Sequence, residues 1–209
     1  MEGEAARDFE TAELPNLDEI LLGTSFGIQP ARKDEIEKAD ALLDAAPTNE
    51  TPLDVMRYFE GLRDLNIDGE LYNAGWKQRW NPVIVRFFSA TNFGKPSGDT
   101  TSWCAASLNW CLTRSGYRSG TKSAASASFR NAPGATATPK PGDVVVFVQN
   151  SNPNHGHVTL FLSESAGRIQ CLGGNQTDQT GHHAICTKWI PQQGSFLTFH
   201  SYHSVSAFR

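Results

Sequence analysis

Apolar positions change their period once along this chain, near Gly142. Upstream of it they recur every three to four residues. Ile36, Ala39, Leu43 and Ala46 fall on one helical face that Pro47 closes. Val55, Phe59 and Leu62 form a second face, announced by Thr51 as N-cap, Pro52 at the first helical position and Asp54 in the first turn. Asn81-Pro82 caps a third helix bearing Val83, Phe87 and Phe88, after a turn-rich connection over 66–75. A central helix runs from about Ser102 to Ser115, stopped by Gly116, and turns Trp103, Ala106, Trp110 and Cys111 inward. A short helix is expected over 122–131. Downstream, alternation predicts strands over 143–149, 157–163, 167–172, 183–190 and 197–206, with turns at Gly167 and Gly181. Residues 1 to about 30 show little periodicity and predict an arm with at most one short helix around Leu17 to Leu22. Helices followed by an antiparallel sheet indicate an α+β fold.

Two of these elements begin with reactive residues. Cys104 opens the central helix, where unpaired N–H groups and the positive dipole end stabilise a thiolate. His157 opens a strand, and a strand is a rigid mount for an imidazole. Together they form the two halves of a thiol nucleophile with its base. The other histidines have weaker contexts: His155 in a polar turn, His182 and His183 after Thr180-Gly181, His200 and His203 on the last strand. A zinc cluster drawn from His155, His157, His182 and His183 is the rival reading, but close C-x-x-C spacing is missing. No cofactor or metal is expected.

Acids that could orient the base are scarce, because beyond residue 99 there are only Asp143, Glu164 and Asp178. Asp143 follows a Pro-Gly turn and reads as structural; Asp178 is the reserve. Asn175 follows its strand through two glycines, which suits a side chain placed at the edge of a site. Cys111 lies two turns after Cys104 and points into the core, and Cys171 and Cys186 fall on neighbouring strands. Trp103 and Trp110 read as core, while Trp76 and Trp80 remain open as walls of a glycan groove.

The segments Asn81-Pro82-Val83-Ile84-Val85, Thr101-Ser102-Trp103-Cys104-Ala105-Ala106, Pro139 to Phe147, Gly156-His157-Val158 and Leu172-Gly173-Gly174-Asn175-Gln176 come in an order and spacing that resembles the CHAP and NlpC-type cell-wall amidases. The resemblance covers residues 81 to 190. It implies a papain-like thiol hydrolase with Cys104 as nucleophile, His157 as general base and acid, and Asn175 orienting the imidazole. Many CHAP members carry a glutamate just before that asparagine; here Gly173 or Gly174 holds the place. The implied reaction is hydrolysis of an amide bond in peptidoglycan.

Charge divides the chain. Residues 1–70 hold 18 acids and 6 bases, residues 71–209 hold 4 acids and 12 bases, and the net charge is -4. We therefore expect an acidic helical extension over 1–70 and a catalytic domain over 71–209. A basic catalytic half suits an anionic polymer such as peptidoglycan, or the acidic extension itself. Nucleic acid is not an expected partner, since no dense Lys/Arg stripe with interleaved aromatics occurs. No apolar run is long enough to span a membrane. The first residues lack a basic and an apolar region, so no secretory signal is expected. Synthesis in the cytoplasm with action on the wall then requires non-classical delivery, as for amidase toxins of type VI secretion, with a secretion-apparatus component and a cognate immunity protein as partners, or for phage lysins. Two other classes compete: a thiol protease or acyltransferase acting on a protein amide, and a non-catalytic binding module with Cys104 as a core residue.

Overall fold

The computed structural model describes residues 29–93, 96, 98–118 and 120–209. The arm expected over residues 1 to about 30, with the helix around Leu17 to Leu22, lies almost wholly outside them. Helix α1 spans Lys33–Ala45 and helix α2 spans Pro52–Gly61. The start of α2 is built as the sequence predicts: Thr51 Oγ1 accepts from Asp54 N at 3.2 Å, and the Asp54 carboxylate accepts from Thr51 N at 3.3 Å. A short hairpin follows, β1 (Asn66–Ile67) with β2 (Glu70–Leu71).

Helix α3, Pro82–Phe87, depends on Asn81. Its Oδ1 accepts from Val83 N at 2.8 Å, and its amide donates to Tyr72 O at 2.9 Å and Ala74 O at 2.7 Å. The connection before α3 is fixed by Asp99, 1% exposed, whose carboxylate accepts from Trp76 N and Asn81 N. Helix α4, Cys104–Arg114, is two residues shorter at its start than expected, because Trp103 takes a non-helical ψ of 11°. The helix expected over 122–131 is realised as a 3₁₀ turn at Ser126–Asn131.

The second half of the chain forms one antiparallel sheet in the order β3-β8-β4-β5-β6-β7, with β3 Ala135–Thr136, β4 Val144–Gln149, β5 Gly156–Ser165, β6 Arg168–Thr177, β7 His183–Pro191 and β8 Leu197–His203. Gly167 (φ 71°) and Gly181 (φ 84°) make the turns on either side of β6. The molecule is α+β, helices on one face of an antiparallel sheet, consistent with a papain-like architecture. That face is the main core: Val144, Val146, Val158, Leu160, Leu172 and Ile185 from the sheet meet Leu108, Cys111 and Leu112 from α4. A second cluster, with Val145, Phe147, Phe161, Ile169, Cys171, Ile190 and Tyr202, occupies the other pleat.

Packing does not follow the charge boundary near residue 70. Ala39, Leu43, Val55, Met56 and Phe59 belong to the same core as α4 and the sheet, and Phe59 meets the rings of both Phe87 and Trp110 edge-on. Polar links cross the boundary too. Glu35, its side chain 5% exposed, pairs with Arg79 at 2.6 Å, and Arg114 donates to Asp44 O and Ala46 O at the end of α1.

Candidate active site

Cys104 is the first residue of α4 and is 3% exposed. Trp103, the N-cap, offers no side-chain acceptor to the first turn, so the donors there are not consumed by a cap. The helix start rests on β6. A Cβ at Gly174 would lie 2.4 Å from both Ser107 Oγ and Trp103 Cζ3, so only glycine lets the strand pass this close beneath α4.

His157 is the second residue of β5, opposite Phe147 on β4, and is 7% exposed. Strand alternation puts Val158 and Leu160 in the core beneath α4 and places His157 with Thr159 on the alternate pleat. The side-chain hydrogen bond of His157 runs from Nε2 to Gln176 Oε1 at 3.1 Å. Burial drives its pKa down to about 4, opposed by the Gln176 hydrogen bond and helped by the Lys188 charge, so the ring is neutral at pH 7.

Asn175 does not meet His157. It has φ +57°, within a bulge where β6 gains a residue against β7 between Gly173 and Gln176. Its Oδ1 lies 2.9 Å from His183 Nδ1, and its Nδ2 donates to Ser102 Oγ at 3.3 Å. Three consecutive residues therefore touch both halves of the site. Gly174 lies against Trp103 and Ser107, Asn175 bonds to Ser102, and Gln176 bonds to His157. β6 thereby runs past both the Cys104 end of α4, on one face of the sheet, and the His157 ring, which strand alternation places on the other pleat.

Residues 96–175 match the CHAP domain model. Over that stretch the chain is similar to CHAP domains. CHAP domains are generally hydrolases and often cysteine-dependent. The match begins in the loop before α4 and ends at Asn175, so it includes Cys104 and His157 and stops short of Gln176 and His183. No curated protein matches the chain.

The remaining candidates fall outside the centre of this site. The Asp178 carboxylate is used by its own turn, accepting from Thr180 N at 2.8 Å and His182 N at 2.9 Å. Asp143 is buried under the β4 start and accepts from Lys140 N and Val205 N. Trp76 is core, 2% exposed, with its indole N–H on Leu71 O. Trp80 covers Gly98, where a Cβ would fall 2.1 Å from its ring, and so it packs on the loop that precedes Cys104. His155, expected in a polar turn, is 6% exposed, and Arg130 donates to its carbonyl at 2.7 Å. All four cysteines are free thiols, and burial pushes Cys111 and Cys171 far above the usual thiol range. Among the described residues no group of three His, Cys, Asp or Glu could hold a metal ion, and no helix is long and apolar enough to cross a membrane.

Sequence reasoning gave Gln176 no role of its own and weighed His183 only as a turn residue or zinc ligand. Gln176 was in view beside Asn175; only the bulge that sends the two side chains apart separates their roles, and a bulge leaves no mark on apolar periodicity.

Proposed function

We propose that this chain is a peptidoglycan amidase or endopeptidase that cuts an amide bond with Cys104 as nucleophile and His157 as general base and acid. The observation that carries the reading is the joint placement by β6: Gly174 and Asn175 touch the residues flanking Cys104 while the next residue holds His157. In the Michaelis complex the His157 ring, neutral at pH 7, takes the thiol proton as sulfur attacks the carbonyl. The oxyanion that develops is met by N–H groups of the first turn of α4, which are aligned before reaction and point along the positive dipole end. Imidazolium then protonates the departing amine. The same ring draws a proton from water to hydrolyse the thioester, returning sulfur to its starting state. Asn175 serves as a fastener that sets the height of Ser102 and hence of Cys104 above the strand.

With its substrate outside the cytoplasm, the reading includes delivery by a type VI apparatus or a lysis system, and a cognate immunity protein in a producing cell. The test is digestion of purified sacculi by wild type and Cys104→Ala, read by mass spectrometry. A new free amine at one defined position, formed by wild type alone, is the expected result and identifies the bond. Products identical in the two samples, or absent from both, overturn the reading. For delivery, the chain exported to the periplasm of a test bacterium lyses it, whereas the same chain kept in the cytoplasm does not. Equal toxicity from both compartments removes the wall as target.

A further inference from the structure

We infer that Gln176 is the positioning residue of His157, taking the part the family resemblance gives to Asn175. The inference rests on the thiol-hydrolase reading for its purpose, but its geometry stands alone. Gln176 is 3% exposed, and both ends of its carboxamide are engaged. Its Nε2 donates to Cys186 O, a carbonyl that can only accept, so the amide cannot be turned around. Oε1 must then be the atom facing His157, and an amide oxygen can only accept. The proton therefore sits on His157 Nε2, and the lone pair is on Nδ1. A backbone carbonyl on β7 thus fixes, through one side chain, which nitrogen of the ring acts as base.

The structure also explains why no acid does this work. A Cβ at Gly173 would stand 2.2 Å from Thr159 Oγ1 and one at Gly174 2.4 Å from Ser107 Oγ and Trp103 Cζ3, so neither place before Asn175 has room for a side chain. The left-handed Asn175 then turns its own amide to Ser102 and His183. Because the bulge restores register at Gln176, opposite Ala184, this residue's side chain comes back to the pleat that holds His157. A neutral amide orients the ring without supplying the negative charge that would stabilise imidazolium, in keeping with a base whose pKa lies low.

Two measurements decide it. Long-range proton–nitrogen NMR of the full chain, labelled at histidine nitrogen, reads the tautomer directly. Wild type should show a protonated Nε2 and an unprotonated Nδ1 at His157; the opposite tautomer overturns the inference. Activity on sacculi should fall roughly ten- to hundredfold in kcat for Gln176→Ala with KM little changed. Gln176→Glu should recover much of that loss and move the acid limb of the pH profile upward, because its carboxylate stabilises imidazolium. A Gln176→Ala protein with wild-type kcat and pH profile overturns the inference. If Gln176→Ala fails to fold, the wild-type tautomer together with the Gln176→Glu profile decides the question. Failure of the parent reading looks different: Cys104→Ala would then match wild type, while the tautomer measurement would still report on Gln176.

Discussion

Asn175 Nδ2 donates to Ser102 Oγ across 3.3 Å, joining the bulge of β6 to the residue two places before Cys104. The same amide reaches His183 on β7, so one side chain in a left-handed conformation links strand, strand and helix start. This differs from a catalytic part, and the difference is measurable.

Replacing Asn175 separates backbone from side chain. Asn175→Ala loses the polar links and also forces a Cβ without a local hydrogen bond into φ +57°, which costs about 1–2 kcal/mol beyond the lost contacts. Asn175→Gly loses the links but accepts the backbone. We expect the glycine variant to be the more stable by urea unfolding, with both variants reduced in kcat/KM by about tenfold through a displaced Cys104. Equal stability of the two variants would show that the bulge does not need the left-handed residue.

His157 makes stability depend on pH. An unfolded chain binds a proton on this residue below about 6.5, and the folded chain only below about 4. Between those values unfolding takes up a proton, so stability is full above pH 6.5 and falls as pH drops toward 4, by on the order of 3 kcal/mol. Urea midpoints from pH 4 to 7.5 should show this slope, and His157→Gln should flatten it. The acid limb of kcat/KM should likewise fall near pH 4 rather than 6.5.

Two glycines give opposite signs. Gly174→Ala inserts a Cβ 2.4 Å from Ser107 Oγ and Trp103 Cζ3 and should destabilise by about 1–3 kcal/mol while impairing catalysis. Gly61, the last residue of α2, has open space around a Cβ and a helical φ of -64°. Gly61→Ala should therefore stabilise by about 0.5–1 kcal/mol and leave activity unchanged. Thermal melts of the pair check both signs.

Removing residues 1–50 tests the link between the acidic segment and the rest. The deletion strips Ala39, Leu43 and Ala46 from the core, and leaves Arg79 without Glu35 and Arg114 without its carbonyl partners. We expect a melting temperature lower by more than 10 °C, or failure to fold, since several kcal/mol of apolar burial disappear. Glu35→Gln should cost about 1 kcal/mol by itself, because Arg79 is partly exposed and keeps Glu70 within 3.6 Å.

Much of this could be read in the sequence. Thr51-Pro52 and Asn81-Pro82 mark helix starts through local capping chemistry, and the shift to period two at Gly142 fixes the sheet. Cys104 and His157 could be singled out as candidates because each stands at or next to the start of an element. The bond between His157 and Gln176 was not, since it requires a bulge, and a bulge is decided by how β6 fits β7 and α4 at once. Nor was the shared core: charge is a surface property and says little about which apolar faces meet.

Because α2 places Met56 and Phe59 beneath α4, the stretch that matches the CHAP model is smaller than the body that shares one core. A fragment cut at its borders would keep the sulfur and the imidazole but lose the floor under one and the brace behind the other. Any transplant of this chemistry into another protein has to begin upstream of Lys33 and run past β8, which pairs with β4, to Phe208 in the core.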